Sequence, residues 1–77
     1  YATPPIGSFE EAIDYFKRAV KANPKDIRHY LWLGKSYYAI SDYIKAKDIL
    51  NQSLTLEINT DSDRLIKDEI VSLLEKI

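Results

Sequence analysis

Tyr30-Leu31-Trp32-Leu33-Gly34-Lys35-Ser36-Tyr37 is the stretch that decides the fold. Its apolar residues recur at the three- and four-residue spacing of a helix, and at about 100° per residue Ile27, Tyr30, Leu33, Gly34 and Tyr37 share one face. A glycine on that face lets a partner helix cross closely, because a side chain larger than a methyl would push the two backbones apart. Sliding the chain 34 residues against itself points to the partner. Ser8 then falls on Asp42, Phe9 on Tyr43, Ala12 on Ala46, Phe16 on Leu50, Ala19 on Ser53 and Val20 on Leu54, small on small and large on large.

Helix ends agree with this reading. Ser8 followed by Glu11 makes a capping box, in which the hydroxyl accepts from a free backbone N–H and the glutamate reaches back to the cap. The first helix starts there and ends at Asn23-Pro24, since proline disfavours a helical conformation in the residue before it. Asp26 caps a second helix of about Ile27 to Ile40, and Asp42 a third of about Tyr43 to Leu56. Thr60 with Asp63 repeats the capping pattern before a fourth, on which Ile66, Ile70, Leu73, Leu74 and Ile77 form one face. Nothing reads as a strand.

The series Tyr30-x-x-Leu33-Gly34-x-x-Tyr37, then Ala46-x-x-x-Leu50, resembles a tetratricopeptide repeat, whose period is about 34 residues. Upstream, Ala12-x-x-x-Phe16 with Pro24 is similar to the second helix of a preceding repeat. The resemblance implies an all-α fold of about four helices, a fragment of a right-handed α-solenoid built from antiparallel helix pairs. Residues 1–7 are then an extended lead-in, 8–23 the second helix of a preceding repeat, 26–59 one complete repeat and 60–77 a C-terminal capping helix. Ala12, Phe16, Tyr30, Leu33, Gly34, Tyr37, Tyr43, Ala46 and Leu50 are the expected packing residues. Leu50 stands where the pattern has an aromatic, Ser53 where it has a second alanine and Ile58 where it has a terminal proline. Arg64 and Lys67 occupy places where a further repeat would want an aromatic and Leu-Gly, so the fourth helix reads as a cap.

Composition narrows the function. The chain has 77 residues and no cysteine, which removes disulfides and thiolate zinc or iron-sulfur sites. A core this small supplies only a few kcal/mol, so the unit is expected to be marginal alone. The formal charge of −1 gives no global attraction to nucleic acid. No apolar run approaches the roughly 18 residues that span a bilayer, so no membrane span is expected in this segment. The absence of an initiator methionine or leader at Tyr1 suggests a segment of something longer, with targeting signals elsewhere. Surface exposed by truncation could then drive self-association.

A narrower resemblance covers nearly the whole chain. Ala2-Thr3-Pro4-Pro5, Glu10-Glu11-Ala12, Tyr15-Phe16-Lys17-Arg18-Ala19, the Tyr30 to Tyr37 stretch and Thr60-Asp61-Ser62-Asp63 are together similar to the carboxyl-terminal repeats of the regulator of microtubule dynamics family. The Ala-Thr-Pro-Pro lead-in carries most of the specificity. The resemblance implies a cytoplasmic microtubule-associated protein, with members at spindle microtubules and poles and others anchored at mitochondria, and with tubulin or microtubules as partner. It assigns no binding role to individual positions.

Charge distribution bears on such a partner. Tubulin surfaces and tails are acidic, so a binder should cluster Lys and Arg and lose affinity as salt rises. Between Lys17 and Lys35 lie Lys17, Arg18, Lys21, Lys25, Arg28 and Lys35 against the single acid Asp26, a balance of +5. From Ala39 onward five basic residues face eight acids, a balance of −3. A solvated helix face is the bland account of such a run. On the second helix, Arg28, Leu31, Trp32, Lys35 and Ala39 form a stripe opposite the packing face. First helices of such repeats line the concave surface that holds ligands, which makes this stripe the expected groove. Trp32 could instead pack against the missing first helix of the preceding repeat or against the terminal helix.

Two binding classes follow. One is a microtubule module attached through Lys17, Arg18, Lys21, Lys25, Arg28 and Lys35. The other is an adaptor holding a partner's peptide tail through Arg28, Lys35 and Trp32, although a two-carboxylate clamp would want Lys or Asn at Leu31. An enzyme is not expected. His29 has no nucleophile or paired carboxylates arranged around it, Gly7 and Gly34 form no phosphate loop, and Asp61-Ser62-Asp63 lacks the glycine and final glutamate of a calcium loop. No cofactor is implied.

Overall fold

The computed structural model describes residues 8–77 and has four helices there, α1 (Phe9–Ala22), α2 (Ile27–Ala39), α3 (Tyr43–Ser53) and α4 (Asp61–Glu75), with no strand among the described residues. The Ala2 to Pro5 lead-in lies outside the described residues. This is an all-α arrangement consistent with a helical-repeat fragment. Each expected cap residue accepts at its helix start, while the return bond from Glu11 to the Ser8 N–H does not form among the described residues. The Ser8 hydroxyl accepts from the Glu11 N–H, Asp26 from the Arg28 N–H, Asp42 from the Lys45 N–H and Thr60 from the Asp63 N–H, so every helix start has an orphan donor satisfied.

Helix ends depart from the sequence expectation in two places. The third helix ends at Ser53, not Leu56. The buried Ser53 hydroxyl donates back to the Leu50 carbonyl, and the Leu54, Thr55 and Leu56 N–H groups bond three residues back, so the last turn tightens and stops. The second helix ends at Ala39, with Ser41 at φ 64°. The Asp42 N–H reaches the Tyr37 carbonyl at 2.9 Å and the Ser41 N–H reaches the Tyr38 carbonyl at 3.0 Å. That is a Schellman ending with serine where glycine is usual.

α2 is the strut of the fold. It packs against α1, α3 and α4, whereas no Cα of α1 comes within 8 Å of α3. It serves two apolar clusters. Leu33 and Tyr37 join Ala12 and Phe16 of α1 and Ala46 of α3 in one, while Ile27 and Leu31 join Leu50 of α3 and Ile70 of α4 in the other. Ile66, Leu73, Leu74 and Ile77 pack on the second cluster as the α4 face requires. Tyr30 is buried and its hydroxyl donates to the Pro24 carbonyl at 2.7 Å, tying the α1–α2 turn to the helix that follows it.

Gly34 shows why α2 and α3 can lie so close. A Cβ built there would sit 2.4 Å from Leu50 Cδ2 and 2.7 Å from Leu50 Cγ, and Leu50 is fully buried. The close approach is thus to Leu50, one helical turn beyond the fully buried Ala46. Tyr43 corrects an expectation. It is 45% exposed and leans on Tyr38 at 5.3 Å between ring centroids, because as the first residue of α3 it stands beyond the last turn of α2 instead of beneath it.

Candidate partner-binding surface

The six cations singled out in the sequence fall into two groups with different surroundings. Lys17, Arg18 and Lys21 lie on the exposed side of α1, and Lys25 is exposed in the turn that follows. α1 is an amphipathic helix that buries only Ala12 and Phe16, so the i, i+4 pair Lys17 and Lys21 points to solvent by the same periodicity that puts Phe16 inward. Arg18 pairs with Asp14 one turn earlier, both largely exposed. Exposed pairs of this kind contribute about 0–1 kcal/mol. Lys17, Lys21 and Lys25 have no ion-pair partner among the described residues.

The cations of α2 are engaged. Arg28 donates to Asp26 through Nε at 3.1 Å and Nη2 at 2.8 Å, a two-pronged contact between a cap residue and the first turn it caps. Hydrogen bonding to the Arg28 side chain holds the Asp26 carboxyl below its usual range against the opposing effect of burial, with nearby His29 assisting, and Asp26 in turn raises Arg28. His29 places Nε2 3.5 Å from the same carboxylate. Lys35 places Nζ 3.2 Å from Glu69 of α4 and 4.9 Å from the Trp32 ring centroid, a cation–π arrangement.

The groove expected on α2 is not an open one. Leu31, expected on its surface, is only 4% exposed and lies in the cluster with Ile27, Leu50 and Ile70. The physical reason is that α4 packs on this side of α2 and needs an apolar counter-face. Trp32 is half-buried and stacked on Phe16 of α1, centroids 6.3 Å apart and planes 17° apart, a neighbour the sequence reading did not expect. Of the expected stripe, only Arg28 and Ala39 are classed as exposed, and Arg28 is tied to Asp26.

Two residues that the sequence reading did not single out shape the surface. Glu69 neutralises Lys35 across the α2–α4 junction. Lys45 of α3 brings Nζ to 6.0 Å from the Tyr37 ring centroid and 3.8 Å from Asp42. The acidic balance of the C-terminal half was the available signal for Glu69, but which acid meets which cation depends on how α4 lies. Among the described residues no group of His, Cys, Asp and Glu is placed to hold a metal ion. No helix among them is long and apolar enough to cross a membrane.

Comparison with known proteins gives a consistent set. The family described as Regulator of microtubule dynamics protein 1-3 matches residues 1–77. The chain is 33% identical over 75 residues to Regulator of microtubule dynamics protein 1 of Bos taurus, covering 96% of this chain and 24% of that protein. It is 32% identical to the proteins of the same name from Rattus norvegicus and Homo sapiens, with the same coverage. The chain therefore spans about a quarter of the length of these relatives. No solved structure matches it. With a family match along its whole length and this helical architecture, the chain belongs to the regulator of microtubule dynamics family.

Proposed function

We propose that this chain is a non-catalytic, microtubule-contacting module, attached by the exposed lysines of α1 and the turn after it. The observation that carries this reading is the contrast in pairing. Lys17, Lys21 and Lys25 are exposed without an ion pair among the described residues, while Arg28 and Lys35 are bound to Asp26 and Glu69. An acidic polymer surface gains most from cations that need not first give up a carboxylate. The names of the relatives favour microtubules as that polymer. The part of the reading that reaches furthest, a role of the whole protein in spindle function in the cytoplasm, rests on the family resemblance.

Within this proposal the chain is a tetratricopeptide-type unit: residues 8–23 end a preceding repeat, 26–59 form a complete one and 60–77 cap it. The outer side of α4 exposes Asp61, Arg64, Asp68, Ser72 and Glu75 together with the apolar Leu65 and Val71, a mostly polar side that favours the cap. A peptide-holding groove built from Arg28, Trp32 and Lys35 is less favoured, because α4 and Asp26 already engage that side of α2. Co-sedimentation with polymerised tubulin across a salt series tests the main reading. Replacing Lys17, Lys21 and Lys25 by glutamate is expected to abolish pelleting at low salt while helical circular dichroism is unchanged. Pelleting equal to the unmodified chain would remove α1 as the attachment.

A further inference from the structure

α1 and α3 both lie on α2 with no Cα of one within 8 Å of the other, and between them is a cleft of about 350 Å³. Its floor is Leu33 and Tyr37 of α2, and Val20 of α1 and Ile49 of α3 form its sides. Two cations line it from opposite helices, Lys17 of α1 and Lys45 of α3, with Asp48 the one acid among the described lining residues. Lys21 follows Lys17 by one turn on α1 and is exposed. The cleft is separate from the α2–α4 side, where Arg28 and Lys35 are held.

We infer that this cleft docks an acidic peptide segment that carries one bulky apolar side chain. Each half of the site asks for its own feature. The aromatic and aliphatic floor offers dry contact to a side chain that enters between the helices, at the low end of the volumes that hold small ligands. The lysines from the two walls sit where the carboxylates flanking that side chain would pass, and both are exposed, so neither is lost to desolvation before the partner arrives. Lys45 has a long contact to Asp42, at 3.8 Å, and a 6.0 Å approach to the Tyr37 ring to exchange. A purely acidic chain would leave the floor wet, and a purely apolar one would leave the lysines without counter-charge. The inference deepens the microtubule reading and rests on it for the biological source of the acidic segment.

The test uses two synthetic peptides, four glutamates on each side of a phenylalanine and the same peptide with glycine at the centre, added to the isotope-labelled chain and followed by NMR and fluorescence anisotropy. The phenylalanine peptide is expected to shift the signals of Lys17, Val20, Leu33, Tyr37 and Lys45. The glycine peptide is expected to bind at least about tenfold more weakly, the factor that follows from losing one buried apolar side chain. Joint Lys17→Glu and Lys45→Glu substitution should remove binding of both, and Val20→Phe, which fills the cleft, should weaken the phenylalanine peptide selectively. Equal affinity for the two peptides, no binding of either, or shifts centred on Arg28 and Lys35 would overturn the inference. So would phosphatidylserine vesicles perturbing the cleft signals while the peptides do not. Co-sedimentation run alongside separates the two readings. A peptide that misses the cleft while the chain still pellets with microtubules defeats only the cleft, and a peptide that fills the cleft while the chain does not pellet defeats only the microtubule reading.

Discussion

α1 carries three cations and three acids and α2 two cations and no acid, and the two helices hold their cations differently. α2 is surrounded, with Ile27, Tyr30, Leu31, Leu33, Gly34, Ser36 and Tyr37 buried against three neighbours, and its cations reach carboxylates at the edges of that packing. α1 lies against α2 and buries Ala12 and Phe16, so its outer side faces water and its lysines extend into it. A count of basic residues treats the two helices as one run. The structure divides the run by what each cation already holds, and on the proposed reading that division favours α1 as the surface for an acidic partner.

The comparison breaks most completely if α2 loses its seat. Leu50 is fully buried against Gly34 and the Ile27, Leu31 and Ile70 cluster, so Leu50→Ala should cost about 2–5 kcal/mol. That is comparable with the whole stability expected of a core this size, and chemical denaturation should show little folded population remaining. Gly34→Ala should act in the same direction with smaller effect. Overpacking against Leu50 costs typically 1–3 kcal/mol and the gain in helix propensity returns about 1, leaving a net loss on the order of 1 kcal/mol in urea melts. A gain in stability would show that Leu50 moves aside freely.

Acid sharpens the comparison without a mutation. The Asp26 carboxyl is held low chiefly by its hydrogen bonds to Arg28, so its folded-state value lies below the unfolded one. Its contribution is therefore fully present above the ordinary carboxylate range, about pH 4, and is lost as pH falls through the lowered value. Melting temperature followed down through that range should fall, and Asp26→Asn should make the fall shallower. An equally steep fall in that variant would place the acid-sensitive groups elsewhere.

The sequence carried the helix starts because caps are local: Ser8, Asp26, Asp42 and Thr60 each satisfy an N–H two or three residues away. Gly34 likewise announced a close helix crossing. The helix ends were harder, since Ser41 takes the left-handed conformation without the glycine or asparagine that would mark it, and the Ser53 hydroxyl competes with the helix from within. The surface was legible only in part. A helical wheel gives α2 one packing face, but α4 adds a second, which buries Leu31 and brings Glu69 to Lys35. The α1–α3 cleft was not legible at all, because it exists only where two helices share a third and leave a gap.

The central claim is that the α1 lysines, which hold no ion pair among the described residues, and not the engaged cations of α2, make the attachment. Co-sedimentation with microtubules tests it most directly when two variants of equal charge are compared, Lys17→Gln with Lys21→Gln against Arg28→Gln with Lys35→Gln. The account predicts that the α1 pair loses most of the pelleted fraction at low salt, and that the α2 pair pellets nearly as the unmodified chain does. Equal loss in the two variants, or loss confined to the α2 pair, would contradict it.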